Sequence, residues 1–138
     1  MEQLSVFLEN KVGRLAEVTA VLKDAGVNIR ALSLADTSEF GILRLITDKP
    51  RESCAALKER GFTAALTKVT AVEMPDRPGG LCAILELLEA GGINVEYMYG
   101  FHAAPAARAV LVFRFDKGAP ALDILRGNAV PFLSDAAG

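Results

Sequence analysis

The stretch Asn10-Lys11-Val12-Gly13-Arg14-Leu15 recurs 66 positions later in the chain as Asp76-Arg77-Pro78-Gly79-Gly80-Leu81. Two further pairs of landmarks keep the same spacing, namely Gly26-Val27-Asn28-Ile29 with Gly92-Ile93-Asn94-Val95, and Arg60-Gly61 with Arg126-Gly127. Three landmarks at one constant spacing indicate two copies of a single structural unit rather than chance placement of glycine. We therefore predict two tandem domains, residues 1–68 and 69–138.

The apolar pattern predicts the same order of elements in both copies. From Gly13 onward, Leu15, Val18 and Leu22 recur at the spacing of one inward helix face. The predicted helices are 13–25, 51–60, 79–90 and 119–125, and the predicted strands are 4–8, 27–35, 41–47, 62–68, 69–74, 94–101, 107–115 and 129–133. Strand-helix-strand-strand-helix-strand is the ferredoxin-like arrangement, so we expect an α+β fold of two βαββαβ units with antiparallel sheets and helices on one face.

Right-handed crossovers predict the spatial strand order 4-1-3-2, with the second strand of each copy at an edge. These edge candidates, Val27–Ala35 and Ile93–Phe101, are long and carry one charge each, Arg30 and Glu96. Because an exposed apolar edge invites pairing with another strand, we expect the two edges to pair with each other or with a second chain. The hairpin strands are apolar on both faces, which also favours a homodimer.

Composition narrows the class of protein. The chain is 51% hydrophobic and 23% charged with a net charge of −2, which describes a soluble globular protein without the basic surface of a nucleic-acid binder. No apolar run reaches the roughly 18 residues of a membrane span and no signal segment opens the chain, so we expect a cytoplasmic protein with no membrane partner. Cys54 and Cys82 are interpreted as free thiols, and His102 has no second metal ligand at suitable spacing. We expect no metal site and no cofactor.

The two glycine loops are the first candidate site. A helix N-terminus leaves about four backbone N–H groups unpaired, and glycine lets a small anion approach them. Each loop carries a basic neighbour, Lys11 or Arg77, and Leu15 and Leu81 are expected to point inward and seat the first turn. The alternative is a simple tight turn in which Asn10 or Asp76 caps the helix.

Asn28 and Asn94 follow each loop glycine by fifteen residues, at the mouth of the edge strand. An asparagine side chain can donate to a carboxylate and accept from an ammonium group, although Gly-x-Asn is also common turn chemistry at a helix exit. If the edge strands pair, each asparagine faces the glycine loop of the other copy.

An aromatic row, Val95, Tyr97, Tyr99 and Phe101, alternates along one edge strand, and its counterparts Ile29, Ala31, Ser33 and Ala35 are mostly small. We interpret the row as complementary packing, large against small. The alternative is a pocket for an apolar side chain.

These motifs resemble those of the ACT domain, the amino-acid-sensing module attached to enzymes such as D-3-phosphoglycerate dehydrogenase and aspartokinase. The resemblance covers nearly the whole chain as two copies without a catalytic domain. It implies a non-catalytic regulatory module that binds a free amino acid between paired units, with an enzyme of amino-acid metabolism as candidate partner. The alternative is a structural module without a ligand that mediates dimerisation or regulates a partner enzyme.

In that family the loop asparagine, the loop glycine and the strand asparagine contact the ligand's amino and carboxylate groups. Val12 replaces the common proline, and Asp76 stands where Asn10 stands, so the two clefts differ in chemistry. The complete set of candidate ligand-binding residues is Asn10, Lys11, Val12, Gly13, Arg14, Leu15, Asn28, Asp76, Pro78, Gly79, Gly80, Leu81 and Asn94.

Overall fold

The computed structural model describes residues 1–36, 39–102 and 108–133. It divides into two compact units, one of Glu2–Lys68 and one from Val69 onward. The first unit contains β1 (Glu2–Glu9), α1 (Arg14–Asp24), β2 (Ile29–Asp36), β3 (Phe40–Thr47), α2 (Pro50–Glu59) and β4 (Thr63–Lys68). The second contains β5 (Thr70–Pro75), α3 (Gly80–Ala90), β6 (Val95–His102), β7 (Arg108–Phe115) and α4 (Gly118–Gly127). The predicted α+β, ferredoxin-like class is confirmed.

The first unit has one antiparallel sheet in the order β2-β3-β1-β4, which is the predicted order 4-1-3-2. Alternation along β1 turns Leu4, Val6 and Leu8 toward the helices and leaves Phe7 about half exposed on the other face. The three inward residues form the core with apolar residues of both helices, among them Val18 and Leu57. Burial of one sheet face under two helices therefore holds this unit together.

The second unit has a three-stranded sheet in the order β5-β7-β6. The predicted last strand, 129–133, is wrong as a strand, because this segment forms a single bridge between Phe132 and Val72 beside β5. The N–H of Glu73 donates to the Pro131 carbonyl at 2.9 Å, but Pro131 has no N–H to return to the ladder. The segment lies where a fourth strand would lie without becoming one.

The repeat spacing changes within the units. Three residues separate β2 from β3 and five separate β6 from β7, so equivalent positions lie 66 apart before the hairpins and 68 apart after them. Gly61 (φ 85°) donates its N–H to the backbone carbonyl of Lys58, and Ala129 (φ 57°) donates its N–H to the backbone carbonyl of Arg126. The equivalent of Gly61 is therefore Ala129, and the predicted match of Arg60-Gly61 with Arg126-Gly127 is wrong.

The inward face of α1 also differs from the prediction. Val18 and Leu22 are fully buried as expected, but Leu15 is 38% exposed. The buried stripe runs through Val18 and Val21, and one turn toward the N-terminus it reaches Arg14 rather than Leu15. In α3, by contrast, Leu81 packs partly buried against the core.

Both predicted edge strands, β2 and β6, lie at the edges of their sheets. Each has a β-bulge at its second residue, Arg30 or Glu96, where the register shifts. The bulge turns Val95 into the core, while Tyr99 and Phe101 lie opposite valines of β7 on the other face. Val95 therefore does not belong to the predicted aromatic row. The pairing of the two edges stays a prediction.

None of the helices in the described part of the chain is long and apolar enough to cross a membrane. The predicted start of the hairpin strand at Ala107 and the side chain of His102 lie outside what the structure describes.

Candidate functional site

Both loop glycines adopt the left-handed conformation and face open space. Gly13 has φ 89° and Gly79 has φ 85°, a region that side-chain-bearing residues rarely adopt. A Cβ atom built at either position would meet no atom of the described residues within 4 Å. A ligand can therefore approach the backbone at both helix starts.

The first turn of each helix following these loops is uncapped. In the part of the chain that the structure describes, neither α1 nor α3 has a hydrogen bond from a capping side chain, so the alternative in which Asn10 or Asp76 caps the helix is wrong. The first helical bonds run from the N–H of Glu17 to Gly13 and from the N–H of Ala83 to Gly79, both 3.0 Å. The backbone N–H groups just before these bonds belong to Leu15 and Ala16 in α1 and to Leu81 and Cys82 in α3. None of these four groups has a hydrogen-bond acceptor among the described residues.

In the first unit, the loop's own charges surround Arg14. Its Nη2 lies 3.1 Å from Glu9 Oε1, its Nη1 lies 2.9 Å from Glu17 Oε2, and its Cζ lies 5.4 Å from the centroid of the Phe62 ring. Lys11 Nζ is 3.2 Å from the other oxygen of Glu9. Hydrogen bonding to Lys11, and the charges of Lys11 and Arg14, lower the pKa of Glu9. The cations of this loop are thus neutralised within the unit.

The second loop has none of these groups. Pro75, Gly80 and Ala83 stand at the positions equivalent to Glu9, Arg14 and Glu17. A Cβ on Gly80 would lie 2.8 Å from both the Pro75 carbonyl and Met74 Cε, so glycine is required where β5 ends against α3. Arg77 is exposed, and no acidic partner for it occurs among the described residues.

A cavity of about 520 Å³ opens beside the second loop. It lies between the loop, one flank of α3 and the segment that follows α4. Its lining residues are Glu73, Met74, Pro75, Arg77, Pro78, Gly79, Gly80, Ala83, Ile84, Leu87, Asn128, Ala129, Val130 and Pro131. Three candidate residues line it, Pro78, Gly79 and Gly80, whereas the candidates Asp76 and Leu81 do not.

The two strand asparagines are anchored in the same way. The Asn28 N–H donates to Asp48 Oδ1 at 2.9 Å, and the Asp48 N–H donates back to the Asn28 carbonyl at 3.1 Å. Asn94 and Asp116 repeat the pair at 3.0 and 3.1 Å. Both asparagines are exposed, and their side-chain amides have no partner in the described residues.

Sequence reasoning missed these two aspartates. Asp48-Lys49 recurs as Asp116-Lys117 directly before the second helix of each unit, at the spacing of 68 rather than 66. A search of the sequence for that second spacing would have found the pair.

Within one unit, the structure does not bring the glycine and the asparagine together. Gly79 and Asn94 lie at opposite ends of α3, an 11-residue helix about 16 Å long. Gly13 and Asn28 flank α1 in the same way. Asn94 lines a separate, open cavity of about 430 Å³ with residues such as Glu89 and Val95. The predicted meeting of loop and asparagine therefore depends on a neighbouring unit and stays a prediction.

The remaining candidates lie on the surface. Asn10 donates its backbone N–H to the Glu39 carbonyl at 2.9 Å, and Val12 is fully exposed. Both cysteines are free thiols as predicted, and a hydrogen bond to Glu86 raises the pKa of Cys82. The described residues hold no group of three His, Cys, Asp or Glu side chains placed to bind a metal ion.

Solved structures of other proteins show the same fold. Protein BT0572 from Bacteroides thetaiotaomicron is 39% identical, with a TM-score of 0.93 over 99% of this chain and 93% of that one. The regulatory subunit of aspartate kinase from Thermus thermophilus, in its ligand-free form, is 16% identical with a TM-score of 0.66 over 91% of each chain. The corresponding subunit from Thermus flavus is 16% identical with a TM-score of 0.63, covering 91% of this chain and 90% of that one.

No curated protein matches this chain. A family model described as an ACT domain pair matches residues 1–137. With two ferredoxin-like units, two glycine loops and two strand asparagines in equivalent places, the chain belongs to the ACT domain pair family.

Proposed function

We propose that this ACT domain pair is a non-catalytic regulatory module of amino-acid metabolism that binds a free amino acid at its glycine loops. The observation that carries the proposal is the cavity beside Gly79, where an uncapped helix start and an open glycine border a space of about 520 Å³. That volume lies within the range of about 300–1,000 Å³ typical of small-molecule sites.

The groups around this cavity suit a zwitterion with a side chain. Arg77, which lines the cavity, provides positive charge for a carboxylate, and the N–H groups of Leu81 and Cys82 at the adjoining start of α3 are candidate donors to it. The Asp76 carboxylate, next to the loop, and an asparagine amide from a neighbouring unit are candidate partners for the ammonium group. The apolar flank of α3 can accept the rest of the ligand.

The relatives support a regulatory rather than a catalytic role. The structure from Thermus thermophilus is the regulatory subunit of an aspartate kinase, and it matches 91% of this chain in fold. By analogy, we propose that ligand binding changes the association of this chain with a partner enzyme of amino-acid metabolism, or with a second copy of itself. Such a change requires the ligand to bind the two assembly states with different affinity.

A ligand-free interaction module is the second candidate function, and a specific observation favours it. Large apolar side chains of the first unit are about half exposed, among them Leu32 and Leu34 on edge strand β2, Phe40 on the adjacent β3 and Phe7 on the inner strand β1. Exposed apolar groups along an unpaired strand edge are typical of a protein–protein contact. They are compatible with either function, so only a ligand assay separates the two.

The test is a thermal-shift panel of the twenty amino acids at millimolar concentration. A ligand present at about 100 times its dissociation constant stabilises the fold by roughly 2.7 kcal/mol, which for a domain of this size raises Tm by several degrees. We expect at least one amino acid to produce such a shift. A flat panel would leave the interaction module as the function.

A matched pair of variants locates the site. Gly79→Val places a branched side chain at the loop and should abolish the thermal shift. Gly61→Val is the control, because it imposes the same backbone strain (φ 85° at both) on an equally open position outside the loops, and it should leave the thermal shift in place. If Gly79→Val still responds to the ligand as the unmodified chain does, the loop assignment is wrong.

A further inference from the structure

We infer that the first unit fills its own equivalent of the cavity with the side chain of Arg14, so that the chain keeps one open site, in the second unit, for an amino acid with an apolar side chain. This inference rests on the proposed function and specifies where the ligand binds, how many bind per chain and which chemical class they belong to.

The two units have cavities in equivalent places but of different size. In the first unit a cavity of about 210 Å³ is lined by Glu17, Ala20, Val21, Asp24, Arg60 and Phe62. Four of these residues, Glu17, Val21, Arg60 and Phe62, are equivalent to Ala83, Leu87, Asn128 and Val130, which line the cavity of about 520 Å³ in the second unit. The larger cavity extends further, along the loop to Gly79 and Gly80.

Arg14 accounts for the difference. It stands at the position of Gly80, and its guanidinium lies on the Phe62 ring while bonding to Glu9 and Glu17 on either side. Its Nε atom is buried and has no hydrogen-bond partner among the described residues, so the side chain packs into the space rather than extending into solvent. Gly80 has no side chain, and Pro75, Ala83 and Val130, which are equivalent to the three partners of Arg14, line the open cavity beside the second loop.

Removing Arg14 from this place would be unfavourable for the first unit. Two carboxylates and an aromatic face compensate its charge together, and a ligand would have to separate all three contacts to enter. A free amino acid would also bring its own carboxylate toward Glu9 and Glu17, which carry the same sign of charge. The first loop is therefore a structural copy of the site rather than a second working one.

The lining of the second cavity defines the ligand class. Pro75 and Ala83 replace the two carboxylates, and the flank of α3 adds Ile84 and Leu87. Two of the lining residues are charged, Glu73 and Arg77. Glu73 precedes the core residue Met74 along β5 and pairs with Val110, so the Glu73 side chain lies on the face of the sheet opposite to the core.

Arg77 then remains as the charged side chain at the cavity, and it can compensate one carboxylate. A second charge on the ligand's side chain would lie against apolar groups without a partner, which is costly. We therefore expect an aliphatic or aromatic amino acid rather than an acidic or basic one.

The test is a calorimetric titration of the full chain with L-leucine, L-methionine and L-phenylalanine, and with L-aspartate and L-lysine for comparison. We expect at least one apolar amino acid to bind at one site per chain, and the two charged amino acids to bind at least tenfold more weakly. Two sites per chain, or a preference for a charged amino acid, would overturn the inference while leaving the proposed function intact. A thermal-shift panel in which none of the twenty amino acids stabilises the chain would instead reject the proposed function.

A mirrored pair of variants decides which unit binds. Ala83→Phe fills the second cavity from an exposed helix position and should weaken binding at least tenfold, whereas Glu17→Phe at the equivalent position of the first unit should change it less than twofold. Leu87→Glu, which places a carboxylate in the second cavity, is the second variant and should also weaken binding at least tenfold. If Glu17→Phe abolishes binding and Ala83→Phe does not, the assignment of the two units is reversed.

Discussion

Ala129 occupies in the second unit the left-handed position that Gly61 occupies in the first, with φ 57° against φ 85°. Both residues follow the last turn of a helix and donate their N–H back to it, over 3.1 and 3.0 Å. An alanine pays a steric cost in this conformation that a glycine does not. The second unit therefore holds a strained residue at the edge of its cavity.

The first prediction follows from that strain. Ala129→Gly should stabilise the chain by about 1 kcal/mol, because glycine relieves the left-handed strain at a small cost in unfolded-state entropy. Gly61→Ala should destabilise it by a similar amount, since a Cβ there meets no described atom within 4 Å and the backbone strain remains. Urea unfolding measures both. Equal stabilities of the two variants would show that φ at these positions is unimportant.

Gly80 should not tolerate even a methyl group. A Cβ at this position lies 2.8 Å from the backbone oxygen of Pro75, which cannot move aside as a flexible side chain can. We expect Gly80→Ala to destabilise the chain by about 1–3 kcal/mol. Gly118→Ala is the control, because that position opens α4 with nothing within 4 Å, and its stability should be unchanged or slightly raised. A Gly80→Ala protein as stable as the control would mean that β5 and α3 are further apart than described.

The anchoring aspartates should matter to the start of each edge strand. Asp116→Ala removes the acceptor of the Asn94 N–H, 3.0 Å away, and should cost about 0.5–1.5 kcal/mol. Faster hydrogen exchange should be confined to the beginning of β6, with the equivalent β2 unaffected. Asp123→Ala, an exposed helix residue of the same unit, serves as the control. Unchanged exchange at Asn94 would contradict the anchoring role.

Glu9 should contribute to the acid sensitivity of the first unit. Its pKa lies below the ordinary value of 4.5 because of Lys11 and Arg14, so its stabilising effect is present above that value. The effect is lost as the pH falls through the lowered pKa. Glu9→Gln should therefore lose less stability than the unmodified chain on acidification from pH 5. Parallel Tm curves for the two proteins would rule out this contribution.

Much of the fold could be predicted because its signals are local and repeated. The strand order of the first sheet can be predicted from three features of the sequence, namely the apolar alternation in β1, the glycine at each helix start and the order of the elements. The sequence also predicts that the two loop glycines lie at helix starts and are open to approach, and the structure shows both.

The failures arise where tertiary packing overrides a local pattern. Leu15 has the inward helix spacing, but the buried stripe of α1 reaches Arg14 instead, because Phe62, Glu9 and Glu17 together accommodate its charge. The two extra residues in the second hairpin shift every later position, so a search at one spacing paired Gly61 with the wrong residue. The cavity lies beside a segment that forms one bridge instead of a fourth strand, because Pro131 has no N–H for the ladder, and no single sequence motif reveals this.

The backbone amides at the start of α3 are the groups that we propose bind the amino acid. The most direct measurement is a set of backbone amide NMR spectra recorded during titration with the amino acid that gives the largest thermal shift. We expect saturable shifts of the Gly79, Leu81 and Cys82 resonances, and we expect those of Gly13, Leu15 and Ala16 to change little. Shifts confined to other parts of the chain, or equal shifts at both loops, would contradict it.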